Sequence, residues 1–324
     1  MLPSEIDQDR EWLVKEEADT DWDYGERPEN RPLEEKLSNG IVLVDKPAGP
    51  QSNQVSVWVK ELLERGKTGH SGTLDPHVTG LLPVGLDEGT KIMGPLSNAG
   101  KEYIGLMSLD EEIGEEKIEE TSEEFVGTVE QVPPEKSAVK REERERDIYE
   151  LEVLEVDGKN VLFRVECEKG FYVRTFCKQF GDALGTDGEM DELRRTKVGV
   201  FEERETVNLQ DLADQYEFWK EGEDNSLEEL VLPVEAGVRH LKKIIVKDSA
   251  VAALAHGADL GTGGISKLQK GIETDELLAV LTLKGELIAT ANAEFGSDEM
   301  LEEGGTAATL DRVYIGKDEY PREW

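Results

Sequence analysis

Residues 69–85 read GHSGTLDPHVTGLLPVG, and this stretch decides the interpretation of the chain. It places one carboxylate, Asp75, in a loop of glycines, hydroxyl residues and proline, directly before an apolar segment that predicts a strand. Loops held by a rigid scaffold often carry catalytic groups, and glycine lets a substrate approach the backbone closely. The alternative is an ordinary turn in which the carboxylate of Asp75 bonds its own backbone.

The charge of the chain is unusual. Its 324 residues include 37 Lys and Arg against 73 Asp and Glu, which gives a net charge of −36. So acidic a protein lacks the basic surface expected of an RNA-binding protein. At about 1 M salt the Debye length is only about 3 Å, so diffuse acidic charge hardly reaches a bound RNA. We therefore predict a halophilic protein that folds and acts only in molar KCl. Acidic tails on a mesophilic protein are disfavoured because the acids are spread along the whole chain.

Cysteine usage and hydropathy indicate a cytoplasmic protein. The spacing of Cys167 and Cys177 fits neither a metal site nor a disulfide framework, and their patterns predict two buried small residues. The N-terminal residues have neither a basic region nor an apolar segment, so we expect no signal peptide. No apolar run approaches the length of about 18 residues that a membrane helix needs, so we expect no membrane partner.

The apolar pattern predicts an α+β fold. Helical spacing predicts a helix from Val55 to Leu62, with Ser52 as its N-cap, and another from Phe176 to Leu184. The segment Asp110–Glu124 predicts a solvated connection or a helix. Short apolar or alternating runs predict strands at 41–46, 80–86, 101–109, 149–153 and 161–167, the last two joined by a turn at 157–160.

A polar break near residues 220–234 predicts a domain boundary, with a short helix between Ser226 and Pro233. Beyond it we expect strands at 243–246, 276–283 and 286–291 and a helix at 248–256. This unit resembles a PUA domain, an RNA-binding β-barrel. The acidic, proline-containing N-terminus predicts an extended arm rather than a core element. The predicted domains are residues 1–38, 39–234 and 235–324.

Four further blocks accompany the Asp75 stretch in order: Asp45–Pro50, Lys101–Tyr103, Lys169–Thr175 and Leu193–Thr196. Together with the PUA-like unit, they resemble the TruB/dyskerin family of pseudouridine synthases, in its archaeal dyskerin-like branch. The resemblance implies a mixed, mainly antiparallel sheet with flanking helices, followed by a small β-barrel. It also implies that residues 1–38 pack on that barrel. One departure is Asn53, which stands after Ser52 where the family usually has histidine.

In that family the reaction isomerises uridine in RNA. The bond from N1 to C1′ breaks, the uracil rotates, and C5 rejoins C1′, with no cofactor and no metal. The resemblance makes Asp75 the catalytic residue, and a carboxylate can stabilise or trap positive charge at an opening sugar. The sequence leaves open whether Asp75 attacks the sugar, attacks the base or removes a proton.

Three further residues are implied as substrate-binding. Tyr103 matches the tyrosine that stacks on the flipped base, although a strand aromatic that fills the core is the alternative. Arg174 matches the arginine that orients the catalytic carboxylate, and a plain surface arginine at a helix start is its alternative. Tyr172 is expected to line the same pocket and to assist proton transfer at C5, or simply to pack there.

Seven more residues, six Lys or Arg and one His, are candidates for contacts with RNA. Lys46 and His70 are expected to seat either the RNA backbone or the active-site loop. A basic run in this acidic chain predicts an RNA-gripping loop, with a salt-bridged helix as the alternative. That run holds Lys136, Lys140, Arg141, Arg144 and Arg146.

Four functions are candidates for this chain. The first is the catalytic subunit of an archaeal box H/ACA ribonucleoprotein, directed to rRNA by a guide RNA with small partner proteins, and able to modify the T-loop uridine of tRNA. The second is a stand-alone tRNA enzyme, and the third is a non-catalytic RNA-binding scaffold of the same fold. The fourth, a hydrolase with paired carboxylates, lacks a second carboxylate in a matching motif.

Overall fold

A computed structural model describes residues 11–132, 142–223, 226–302 and 304–322. The strands are β1 (Trp12–Val14), β2 (Gly40–Lys46), β3 (Thr68–His70), β4 (Thr79–Leu86), β5 (Lys101–Leu109), β6 (Gly127–Gln131), β7 (Arg144–Asp157), β8 (Asn160–Cys167), β9 (Gly188–Val198), β10 (Phe201–Glu202), β11 (Val231–Pro233), β12 (Lys242–Val246), β13 (Leu260–Gly261), β14 (Ile265–Gln269), β15 (Leu277–Leu281), β16 (Leu287–Ala293) and β17 (Thr306–Val313). The helices are α1 (Leu33–Asn39), α2 (Ser52–Leu62), α3 (Met93–Ser97), α4 (Glu115–Phe125), α5 (Val173–Leu184), α6 (Leu209–Glu221), α7 (Leu227–Leu230), α8 (Asp248–Ala255) and α9 (Ser297–Glu302).

The chain forms two compact units. Of the described residues, unit 1 holds 42–84 and most of 93–230, and unit 2 holds 11–41, 85–92 and those from 231 onward. Unit 1 contains the Asp75 loop, and unit 2 contains the segment that resembles a PUA domain.

The sheet of unit 1 runs in the order β2-β4-β9-β5-β8-β7-β6, with β3 paired to β4 and β10 to β9. β5 pairs antiparallel with both β8 and β9, whereas β4 and β9 pair in parallel. The predicted α+β class, a mixed and mainly antiparallel sheet with helices, is confirmed. The 149–167 strand pair is confirmed as well, as β7 and β8.

The core of unit 1 follows from alternation on β5 and β8 and from the amphipathic α5. Met107 of β5 and Phe163 of β8 are buried on one sheet face, and Phe176 and Phe180 of α5 pack in the same cluster. Both cysteines are fully buried there, as predicted. α5 covers this face because its apolar residues recur at the helical period.

Strand β9 lies at the centre of the sheet, although its sequence did not predict a strand. Its eleven residues, Gly188–Val198, are mostly charged or polar, so the alternation that indicates a half-buried strand is missing. Arg194 and Arg195, from the predicted block Leu193–Thr196, lie in this strand.

Unit 2 contains a seven-stranded sheet in the order β1-β14-β12-β15-β16-β17-β13. The predicted strands near 243–246, 276–283 and 286–291 are confirmed as β12, β15 and β16, and the predicted helix is α8. The core is apolar and includes Ile244, Leu278 and Ile288.

The N-terminal segment is more structured than an extended arm. β1 pairs antiparallel with β14, and residues 33–39 form α1 with Leu33 and Leu37 buried. Arg31 donates two hydrogen bonds to the carboxylate of Glu235, at 3.0 and 2.9 Å. The prediction that this segment contributes nothing to a core is therefore wrong for α1, because two apolar residues one helical turn apart are buried together.

Candidate active site

Asp75 lies in the loop between β3 and β4, and its side chain is 52% exposed. The carboxylate accepts a hydrogen bond and an ion pair from the guanidinium of Arg174. The backbone does form a turn here, since the Val78 N–H donates to the Asp75 carbonyl at 3.1 Å. The side chain, however, is half exposed and bonds Arg174, which is distant in sequence.

Arg174 belongs to the first turn of α5, where Tyr172 is the N-cap residue. A cation at a helix N-terminus opposes the helix dipole, so this position does not favour arginine by itself. The ion pair with Asp75 supplies the compensating interaction. The alternative of a plain surface arginine is therefore excluded, and the guanidinium fixes the orientation of the carboxylate.

Lys46 anchors the Asp75 loop from the protein interior. It is fully buried at the end of β2, and its ammonium donates to the carbonyls of Pro47, Pro76 and Val78 at 3.0, 3.2 and 2.7 Å. Burial lowers the pKa of this lysine. With all three donors satisfied, Lys46 seats the active-site loop rather than the RNA backbone.

Ser52 is a second anchor of this loop. The sequence predicted it as the N-cap of α2, but the cap is Gln51 and Ser52 is the first helical residue. Its hydroxyl accepts from the Leu74 N–H at 2.8 Å and donates to the Leu74 carbonyl at 3.0 Å. The two bonds fix the backbone next to Asp75. The prediction of a cap was wrong because a distant loop, not the helix, supplies the partner.

His70 pairs with the residue that departs from the family pattern. Its Nε2 lies 2.8 Å from the side-chain oxygen of Asn53. Burial lowers the pKa of the imidazole, with a smaller effect from the charge of Arg195, so the neutral form is favoured. The pair joins the start of α2 to the start of the Asp75 loop, and contact of His70 with RNA stays a prediction.

Tyr103 is partly buried on β5, where its cross-strand partner on β9 is Arg195. Burial raises the pKa of this tyrosine, so the hydroxyl stays protonated. The ring also packs against the apolar cluster of unit 1. The alternative of an aromatic that packs in the core is therefore met in part, and stacking of Tyr103 on a base stays a prediction.

Tyr172 is held by a residue that the sequence did not single out. Gln131, at the end of β6, accepts from the Tyr172 N–H at 2.8 Å and donates to the Tyr172 carbonyl at 3.2 Å. Gln131 is buried, although a glutamine at a strand end carries no sequence signal of such a role. This two-point contact fixes the backbone that leads into Arg174.

The predicted basic run is described only in part. Arg144 and Arg146 begin β7, so a salt-bridged helix is excluded for these two residues. The guanidinium of Arg146 pairs with Glu168 at 3.7 Å. Lys136, Lys140 and Arg141 lie outside the described residues.

The site presents one exposed carboxylate and an arginine that orients it, while Tyr103 lies on β5 and Tyr172 precedes α5, which carries this arginine. Within the described residues, no three His, Cys, Asp or Glu side chains are grouped so that they could hold a metal ion. In the same part of the chain, no helix is long and apolar enough to span a membrane. The chemistry available to these side chains is nucleophilic or electrostatic action at an electrophilic carbon, with proton transfer.

Known families match nearly the whole chain. The DKCLD domain matches residues 1–56, the N-terminal domain of TruB family pseudouridylate synthase 60–173, the tRNA pseudouridylate synthase B C-terminal domain 174–239 and the PUA domain 242–314. A probable tRNA pseudouridine synthase B of Methanocaldococcus jannaschii is 50% identical over 321 residues, which are 98% of this chain and 96% of that protein. The chain belongs to the TruB family of pseudouridylate synthases.

Relatives and solved structures agree with this membership. A probable tRNA pseudouridine synthase B of Pyrococcus furiosus is 47% identical over 328 residues, 100% of this chain and 96% of that protein. A chain from a Cbf5-Nop10-Gar1 complex superposes with a TM-score of 0.95 at 46% identity, covering 99% of this chain and 98% of that chain. A chain from an H/ACA RNP bound to a substrate RNA containing 2′-deoxyuridine gives 0.92 at 44% identity, with full coverage of both.

The comparisons confirm the predicted family, its archaeal dyskerin-like branch, the PUA domain and the class of enzyme, an isomerase that acts on RNA. They also agree with the fold described above. The salt requirement inferred from the net charge stays a prediction.

Proposed function

We propose that this TruB family member converts uridine to pseudouridine in the T-loop of tRNA and at rRNA sites selected by a box H/ACA guide RNA. The observation that carries the proposal is the exposed carboxylate of Asp75, oriented by Arg174 on a loop that Lys46 and Ser52 hold from below. Such rigid support of an exposed group is characteristic of catalytic sites.

The proposed reaction starts with extrusion of the target nucleotide into the site, at a cost of a few kcal/mol of unstacking. Stacking on Tyr103 returns about 1–3 kcal/mol. The N1–C1′ bond then breaks, the uracil rotates, and a C5–C1′ bond forms while C5 loses a proton and N1 gains one. Asp75 acts on the nucleotide as this exchange proceeds, Arg174 keeps the carboxylate oriented, and Tyr172 lines the pocket and assists proton transfer at C5.

The partners are proposed from the relatives. The superposed chains come from a Cbf5-Nop10-Gar1 complex and from an H/ACA RNP with substrate RNA. We infer that this chain likewise assembles with a guide RNA and small proteins, in the cytoplasm. Residues 1–38, 39–234 and 235–324 would serve as the N-terminal extension packed on the PUA domain, the catalytic domain and the PUA domain. Arg144, Arg146 and the neighbouring basic run would contact RNA.

Tritium release from RNA that carries C5-tritiated uridine tests the central claim. Asp75→Asn keeps the size of the side chain, and we expect its rate to fall by at least about 1,000-fold, as for other essential catalytic groups. Asp182→Asn is the matched control, because Asp182 is exposed on α5 of the same unit. Release by Asp75→Asn at the wild-type rate would refute the catalytic role.

The same assay separates the competing functions. Release from tRNA by the isolated chain supports the stand-alone enzyme, and release from rRNA only with guide RNA and partners supports the ribonucleoprotein. An RNA-binding scaffold would bind without release. A hydrolase would liberate free uracil, which chromatography detects.

A further inference from the structure

Arg195 is a buried cation that the proposed reaction does not use. It is 1% exposed, and it is among the largest fully buried side chains of the described residues. Within the described chain it forms no ion pair with a carboxylate. Burial lowers the pKa of its guanidinium, although arginine stays charged at neutral pH.

The guanidinium of Arg195 lies against three separate elements. Nε donates to the Leu81 carbonyl on β4 at 2.8 Å. Nη2 donates to the carbonyls of Gly72 and Ser71, in the Asp75 loop, at 3.2 and 3.4 Å. Arg195 on β9 is also the cross-strand partner of Tyr103 on β5, and its guanidinium lies beside the Tyr103 hydroxyl. One planar group therefore lies between the loop that carries Asp75 and the tyrosine proposed to stack on the base.

The loop is shaped to admit this guanidinium. Gly72 has a φ of +75°, a conformation that favours glycine, and a Cβ atom at this position would lie 2.9 Å from Nη1 of Arg195. The close approach brings the loop backbone onto the charged group. Any larger residue at position 72 would push the guanidinium away from the loop.

Stability alone does not account for the arginine. Replacement of buried ions by apolar residues of similar volume is often neutral or stabilising, because the desolvation cost of the charge is removed. A methionine at position 195 would fill much of the same space without that cost. The arginine instead offers five donors in a rigid plane, which is what a link between two backbone segments and a hydroxyl requires.

We propose that Arg195 is a positioning residue that holds the ring of Tyr103 at a fixed place relative to the Asp75 loop. The role rests on the proposed function of Asp75 and Tyr103. Arg195 acts through the Tyr103 hydroxyl and the loop backbone, and it does not touch the substrate. The functional consequence is that the flipped base and the carboxylate meet in one geometry.

A double-mutant cycle tests the link between Arg195 and Tyr103. The variants are Arg195→Met, Arg195→Lys, Tyr103→Phe and the double variant Arg195→Met with Tyr103→Phe, all in the full-length chain. We expect Arg195→Met to lower kcat for tritium release by about 10- to 100-fold, since misplacement of reacting groups by about 1 Å costs up to about 100-fold. KM should change by less than about threefold, because Arg195 does not contact the RNA.

The cycle distinguishes action of Arg195 through the Tyr103 hydroxyl from independent action of that hydroxyl. If Arg195 acts through the hydroxyl, the double variant is no slower than Arg195→Met alone. If the two reductions multiply, the hydroxyl acts independently, for example in proton transfer, and the proposal is refuted. Arg195→Lys should not rescue kcat, because a single ammonium cannot join three elements.

Arg164→Lys is the control for this experiment. Arg164 lies on β8 of the same sheet and pairs with Glu150 and Glu152 at 2.8 and 2.6 Å. Its kcat should stay within about twofold of wild type, since partly exposed ion pairs contribute little.

Folding is checked by near-UV circular dichroism and urea unfolding before any rate is compared. If neither Arg195 variant folds, the guanidinium holds the fold rather than the site, and the proposal is refuted. Wild-type kcat in a folded Arg195→Met variant refutes this inference alone. If Asp75→Asn releases tritium at the wild-type rate, the proposed function itself is refuted, so the two failures are distinguishable.

Discussion

The two units differ in the partners of their buried lysine and arginine side chains. Unit 1 buries Lys46, Lys101 and Arg195, and none of these forms an ion pair with a described carboxylate. Unit 2 buries Lys284, whose ammonium donates to the Asp21 carbonyl and also to the Tyr320 hydroxyl, which in turn donates to the carboxylate of Glu286. These three cations of unit 1 donate to backbone carbonyls, and two of them, Lys46 and Arg195, donate to carbonyls of the Asp75 loop itself.

This difference predicts which substitutions lower the stability of the protein and which lower its activity. A buried cation without a counter-charge costs free energy, whereas apolar burial supplies it. We therefore expect changes in the apolar core of unit 2 to lower stability without altering the chemical step. Changes to the buried cations of unit 1 should alter the chemical step with a smaller effect on stability.

The largest effect is expected in the core of unit 2. Ile288 is fully buried on β16, and Ile288→Ala should lower the free energy of unfolding by about 2–5 kcal/mol, because it leaves a cavity. kcat of the folded protein should be unchanged. Urea unfolding and tritium release check both statements, with Asn292→Ala, an exposed site on the same strand, as control. A fall in kcat that matches the loss of stability would contradict the comparison.

The next effect is expected at Lys46. Lys46→Met removes the donor to three loop carbonyls, so the Asp75 loop shifts and kcat should fall by about 100-fold. The free energy of unfolding should change less, because loss of the desolvation cost offsets the lost hydrogen bonds. Single-turnover release and urea unfolding measure the two effects. Lys178→Met, on the exposed face of α5, is the control, and unchanged kcat with a lower unfolding free energy would contradict the prediction.

The smallest effect is a pH dependence of stability that comes from Lys101. Burial lowers the pKa of Lys101 from 10.5 to about 7, while its ammonium donates to the carbonyls of Ser97 and Ala99. Between pH 7 and 10 the unfolded chain therefore binds a proton that the folded chain has released. The sign follows directly: this group makes the free energy of unfolding rise with pH in that window.

Lys101→Met removes this contribution. The wild type should gain stability relative to the variant from pH 7 to 9, as measured by urea unfolding at each pH. Parallel curves for the two proteins would show that Lys101 keeps its proton throughout.

Much of the fold could be predicted from the sequence because its signals are local. Alternation predicted β5 and β8, helical spacing predicted α5, and the glycines around Asp75 indicated a loop. β9 was missed since its charged residues hide the alternation. α1 was missed because its two buried leucines lie in an otherwise acidic segment.

The site was predictable only in its outward-facing part. Asp75 and Arg174 were expected to pair, and they do. The supporting residues were harder to assign, because Arg195 and Gln131 act through backbone groups far away in sequence. Ser52 was assigned to the wrong partner for the same reason.

By itself the sequence determined the family, the order of its elements and the residues that carry chemistry, because periodicity, motifs and residue types are properties of short segments. Only the tertiary structure decided which backbone carbonyls each buried cation contacts. It therefore decided how Lys46, His70 and Arg195 are placed around the Asp75 loop. A buried charge finds its partners in three dimensions, and no local pattern encodes those partners.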